Sequence, residues 1–224
     1  MIYARALLLA DGSSDEPLGQ HVAALARRHG VSLDVVAPEF ARMDIPPGRA
    51  VEDRLARMLA IDRDFDVLVV HRDAEAQTVD HRLAEIQAAL EAVALEWHLI
   101  PVIPVRMTEA WLLLDESAIR LVAGRPTGTD PLNLPSVSSV ESEPDPKSRL
   151  QAVLAVASGL SGRRLRKFRR DFPAHRRQLL ERLDRDGAVC ELGGWQALEA
   201  DVAHAMGNMT DDRLAPPMGG ETVR

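Results

Sequence analysis

FDVLVVHRD, residues 65–73, sets the class of fold. Four apolar residues in a row, Val67 to Val70, three of them valine, describe a strand buried on both faces rather than one half-buried at a surface. Such strands belong to parallel sheets, in which crossover helices cover both sides. The flanking segments supply those helices. Before it, AVEDRLARMLAI (50–61) sets Val51, Leu55, Met58 and Leu59 on one helical face; after it, DHRLAEIQAALEAVAL (80–95) is amphipathic. ARALLLA (4–10) and VSLDVVAPEF (31–40) are further strands, with a helix between them that Gly30 stops. LIPVIPV (99–105) is a fourth strand, whose prolines suit an edge, and TEAWLLLDESAIRLVAG (108–124) is a helix closed by Gly124. Strands alternating with helices at this spacing predict a mostly parallel, three-layer α/β sheet.

Beyond residue 124 the pattern changes. RPTGTDPLNLPSVSSVESEPDP (125–146) has no period and reads as one long loop. Helices are expected over 147–160, 172–185 and 195–207, with a mobile tail from Asn208. The division is thus an α/β domain over 1–124, the loop, a C-terminal helical extension over 147–207 and the tail. A chain of 224 residues with 46% hydrophobic residues is long enough for one sizeable core and a smaller appendage. A single cysteine, Cys190, leaves no disulfide framework or thiolate zinc site within one chain. No apolar run matches a signal segment or a membrane span, so a soluble cytoplasmic protein without membrane contact is expected.

The net charge of −7 is uneven. Between Arg163 and Arg185 ten Arg or Lys stand against Asp171, Glu181 and Asp184, a local +7 on an otherwise acidic chain. Arg163, Arg164, Arg166, Lys167, Arg169 and Arg170 are its densest part and the candidate contacts for a nucleic-acid backbone. The plainer reading is a solvated helix face with i, i+4 pairs such as Glu181 with Arg185. Aromatic residues are scarce there, which argues against base stacking as the main mode of recognition.

In an open parallel sheet, ligands bind outside the carboxyl ends of the strands, and the acids of this chain concentrate there. Asp11 and Asp15 follow the first strand, Asp73 and Glu75 the third, and Glu109 the fourth. Asp73 and Glu75, two apart on an extended segment, can face one hard cation. Ser13 to Glu16 also satisfies a capping box, so for Asp15 and Glu16 the helix-cap reading is favoured; Asp11, at the strand end itself, is not explained that way. Glu109 is either a first-turn acid or an inward-facing carboxylate that needs a partner. Lys147 suits a phosphate contact, and equally a first-turn residue behind an Asp145 cap with Pro146 next. The histidines, among them His71, His81 and His98, are scattered and read as structural or surface.

ADGSSDE (10–16), VVHRDAE (69–75), PVRMTEAWLLLD (104–115) and EPDPKSRL (143–150), in this order, resemble the Toprim-like bacterial proteins of domain-of-unknown-function family 4276. The likeness covers roughly the first 150 residues. It implies a Toprim, Rossmann-like sheet that binds magnesium through a glutamate after strand one and a D-x-D pair after a later strand. Related Toprim domains occur in topoisomerases, primases and nucleases of the overcoming-lysogenization-defect type. On that likeness Asp11 falls where the family has glutamate, Gly12 and Asp15 match, Asp73 matches the first acid of the pair, and Glu75 stands where the second is usually aspartate. Glu109, Trp111 and Lys147 match further motifs. One acid is a methylene shorter and one longer, which describes either a compensated metal site or one that binds metal without cutting.

The expectation that follows is a magnesium-dependent nuclease, with manganese as an alternative ion. Asp11, Asp15, Asp73 and Glu75 are its metal candidates and Asp11, Asp73, Glu75, Glu109 and Lys147 its catalytic ones. Two rivals stand beside it. One is a metal-binding, non-cleaving module that docks on a larger ATPase, since the chain has no P-loop motif of its own. The other is a phosphotransfer enzyme acting on a small phosphorylated ligand.

Overall fold

The structure is a computed structural model that describes residues 1–74, 77–93 and 95–214. Its centre is a four-stranded, all-parallel sheet in the order β2-β1-β3-β4, with β1 Ile2–Leu9, β2 Val31–Val36, β3 Val67–His71 and β4 His98–Val102. The valine-rich run is one of its two central strands, and every residue of it is buried. Proline-containing β4 lies at an edge, where the missing N–H of Pro101 costs least.

Side-chain alternation divides the interior into two layers. Ala6 and Leu8 of β1 and Val67 and Val69 of β3 face one core; Leu7, Leu9, Leu68 and Val70 face the other. Helices α2 (Val51–Leu59) and α3 (Val79–Val93) cover the second face through Leu55, Met58 and Ile86. The first face takes α1 (Leu18–Arg28), α4 (Thr108–Leu112), α5 (Glu116–Val122), α7 (Pro146–Ser158), α9 (Phe172–Glu181) and α10 (Gly193–Leu214). At Gly19 an added Cβ would lie 2.9 Å from Val35 Cγ1, so the lack of a side chain there lets α1 approach β2 closely.

Five expectations change. The segment 108–124 is two helices rather than one: Asp115 interrupts it and accepts a hydrogen bond from Ala118 N at 2.9 Å, starting α5. The loop over 125–146 carries a short helix, α6 (Val137–Val140), and sends Leu132 and Val140 into the main core. The arginine-rich stretch forms its own helix, α8 (Gly162–Arg170), between α7 and α9. The expected tail begins inside α10, which runs to Leu214; residues 215–224 lie outside the described residues. The segment read as an extension packs on the sheet, with Trp195 of α10 edge-on to Trp111 of α4 at 5.4 Å and His21 Nε2 2.6 Å from the Leu180 carbonyl. Among the described residues no helix is long and apolar enough to cross a membrane.

Candidate active site

The connections decide where a ligand can sit. From β1 the chain reaches β2 through α1 on one face, then reaches β3 through α2 on the opposite face. This reversal opens a crevice between the carboxyl ends of β1 and β3. A cleft of about 520 Å³ lies there, and Asp11, Asp15, Asp73, Glu109 and Lys147 all line it. Arg49, Arg72, Arg82 and Arg176 line it as well. Glu75 lies outside the described residues.

The period-2 alternation of the strands persists past their ends and separates the acids. Register pairs Leu9 with Val70, which puts Asp11 level with Arg72 two residues on. Arg72 accordingly donates to Asp11 Oδ1 at 2.7 Å and to Glu85 Oε1 at 2.8 Å, and Arg82 holds the other Glu85 oxygen at 2.8 Å. This is the α3 side of the sheet. Asp73 follows His71 and belongs to the other side. Its Oδ1 accepts from Thr108 N at 2.9 Å and from Thr108 Oγ1 at 3.2 Å, with His71 Nε2 at 3.3 Å. Asp73 thus anchors the start of α4 to the end of β3.

Behind Asp73 lies a buried charge network. Arg176 of α9, 6% exposed, donates through Nε to Glu109 Oε1 at 2.9 Å, pairs with Asp15 Oδ1 at 2.6 Å and donates to Ser14 Oγ at 2.8 Å. Glu109 does face inward, and Arg176 is the partner that its burial requires. His71 is fully buried, with Nε2 2.9 Å from Thr108 Oγ1 and Nδ1 4.0 Å from Asp15. Burial alone would depress its pKa; Asp15, then Asp73 and Asp11, outweigh that and raise it to about 8. Burial likewise works against the Asp73 carboxylate, but His71 and the Thr108 backbone hold its pKa below the ordinary value.

The capping box does not form. Ser13–Asp15 is a single 3-10 turn, no side chain caps it, and α1 begins only at Leu18, after Pro17. Asp15 is taken instead by Arg176 and Glu16 by Arg177, whose Nη1 lies 2.6 Å from Glu16 Oε2. At α7 the cap reading holds, since Asp145 accepts from Ser148 N at 2.9 Å; Lys147 still reaches the cleft from the first turn. Glu181 pairs with Arg177 rather than with Arg185, because α9 ends at Glu181.

Among the described residues no group of three or more His, Cys, Asp or Glu side chains is arranged to hold a metal ion. Asp11 and Asp73 nevertheless each commit one carboxylate oxygen, Oδ1, and neither Oδ2 carries a side-chain or backbone hydrogen bond among those residues. Two carboxylate oxygens in one cleft suit magnesium, which takes one or two carboxylates and completes its shell with water and phosphate. Asp15 and Glu109 are both engaged by Arg176, whose single charge offsets one of the two.

Sequence reasoning placed the acids and Lys147 but missed His71, Arg72, Arg82 and Arg176. For His71 and Arg72 a signal existed, since they occupy the same strand end as Asp73. For Arg176, 67 residues from Glu109 and 162 from Ser14, there was none. Compared with protein-family models, curated proteins and solved structures, the chain matches none.

Proposed function

We propose that the protein is a magnesium-dependent hydrolase of phosphodiester bonds in nucleic acid, of the Toprim-like kind that its sequence motifs resemble. The observation that carries the reading is that Asp11 and Asp73, each with an uncommitted carboxylate oxygen, line one open cleft with Arg49 and Lys147 at the β1/β3 switch point. Asp11 and Asp73 would hold the ion, with Glu75 as the further candidate from the sequence motif. When bound, magnesium supplies Lewis acidity toward a phosphate and an acidified water.

The chain's own residues supply the rest. Arg49 and Lys147 are exposed and have no acidic partner among the described residues, so both are available to a phosphate. Arg72 and Arg82, tied to Glu85, hold the α3 wall. Arg176 pairs with Asp15 and Glu109 in a buried setting, and Thr108, next to Glu109, orients the Asp73 carboxylate. Leading out of the cleft, α8 ends at Arg170, two residues before Phe172 in the cleft wall, and carries a stripe of Arg163, Arg166, Lys167 and Arg170 at i, i+3, i+4 and i+7. None of these four has an ion-pair partner among the described residues, which suits a polyanion backbone running from the cleft onto α8.

An open cleft favours a polymer over an enclosed small ligand. The docking-module rival calls for an apolar face on the C-terminal helices, where among the described residues Val156 is the large apolar residue left exposed. The test is incubation with single-stranded DNA, double-stranded DNA and RNA in magnesium or manganese, beside Asp73→Asn and Asp11→Asn. Cleavage that falls at least a hundredfold in both variants is expected. Cleavage unchanged by either substitution would refute the site, and metal binding without cleavage of any substrate would favour the docking module.

A further inference from the structure

A second concavity, of about 310 Å³, opens beside the cleft at the carboxyl ends of β1 and β2 and shares Asp11 and Gly12 with it. Its volume lies at the small end of the range for small-molecule pockets, about 300–1,000 Å³. Its chemistry differs from that of the cleft. Leu8, Ala10, Ala37 and Pro38 give it apolar walls. Arg54 lies with its guanidinium carbon 5.2 Å from the centre of the Phe40 ring, and both line the pocket. Two nitrogens of that guanidinium are engaged, Nη1 donating to the Ala10 carbonyl and Nη2, at 3.4 Å, to the Asp11 carbonyl, and its Nε is buried. It therefore offers a flat π-surface with Phe40 rather than a phosphate anchor. The remaining charges of the lining leave no cation free for a phosphate: Arg42 is held by Glu39 at 2.8 Å, and the other two carboxylates, Glu16 and Asp11, are held by Arg177 and Arg72. Those carboxylates suit hydroxyl and amino donors instead.

From this division of polarity we infer that the pocket receives the nucleoside half of a nucleoside 5′-phosphate whose phosphate lies in the adjoining cleft, the base stacking on the Arg54–Phe40 pair and the polar edge facing Glu39. The inference rests on the cleft's reading as a phosphate site. It extends that reading by naming the unit recognised, which is supplied either by a free nucleotide or by the end of a nucleic-acid strand.

Calorimetry on the full chain in magnesium tests it, with AMP and ribose 5-phosphate as probes. AMP is expected to bind at least tenfold more tightly. Phe40→Ala, and Ala41→Trp, which fills the pocket from an exposed position, should each remove most of that difference while ribose 5-phosphate affinity stays within twofold. Competition with AMP by a linear 5′-phosphorylated oligonucleotide but not by a circular strand assigns the strand end; competition by neither assigns the free nucleotide. Equal affinities for the two probes, or AMP binding unmoved by both variants, overturns the pocket and leaves the phosphate cleft standing. AMP binding as expected without cleavage of any nucleic acid keeps the pocket and removes the hydrolase. No binding of either probe overturns both.

Discussion

His71 is fully buried beside Asp15 and Asp73, and its raised pKa makes it a source of pH-dependent stability. A histidine whose folded-state pKa lies above its unfolded value of about 6.5 stabilises the fold fully below that value, and the contribution is lost as pH rises through the folded one. In metal-free protein, denaturant unfolding should thus show stability falling between about pH 6.5 and 8, by an amount on the order of 2 kcal/mol, and His71→Gln should flatten that slope. A slope unchanged in the variant would show that the imidazole is neutral in the fold. Arg176 is the second decisive residue. Its removal strands two buried carboxylates, and Arg176→Met is expected to cost about 3–5 kcal/mol at neutral pH, read from chemical unfolding. A destabilisation below about 1 kcal/mol would show that the two buried carboxylates do not depend on Arg176. Arg176 was not legible as part of the site, and His71 only by its place at the strand end beside Asp73: periodicity reports which side chains turn inward, not which charge will meet them there.

Among the elements, α8 separates binding from folding. It buries none of its residues, and it is attached through Phe168, which packs on the main core and stacks on His175 at 4.1 Å. Replacing Arg163, Arg166, Lys167 and Arg170 by glutamine should therefore leave the unfolding midpoint nearly unchanged. If the stripe tracks a nucleic-acid backbone, the slope of log K against log salt should fall by about 3, since each phosphate that is no longer neutralised lowers it by about 0.7–0.9. An unaltered slope would assign the stripe to the solvated-face reading. The concentration of charge was plain in the sequence, and Leu165 and Phe168, three apart among arginines, carry an amphipathic signal that agrees with the solvated-helix-face reading. The break between α4 and α5 was hidden because Trp111, Leu112, Ala118 and Ile119 keep helical spacing across it while Asp115 restarts the hydrogen bonding.

For the molecule as a whole, the C-terminal helices are part of the core rather than an addition to it. Trp195 is fully buried against Trp111, and Leu150, Leu180, Leu198 and Val202 join the same cluster as Leu8 and Val69. A chain cut after residue 145 would bare that face and also lack Arg176, so it should show no cooperative unfolding and weak near-ultraviolet dichroism. A cooperative transition in it would show instead that residues 1–145 fold alone. The parallel α/β sheet, the doubly buried central strand and the gathering of acids at strand ends were all legible along the chain, because backbone periodicity and burial are local properties that a strand or helix writes into its own residues. Which acid meets which cation was settled only in three dimensions. Strand register sets Arg72 on Asp11, while the packing of α9 against the β1 loop brings Arg176 to Asp15 and Glu109. Charge pairing acts through space between segments far apart in the chain, and no local pattern encodes it.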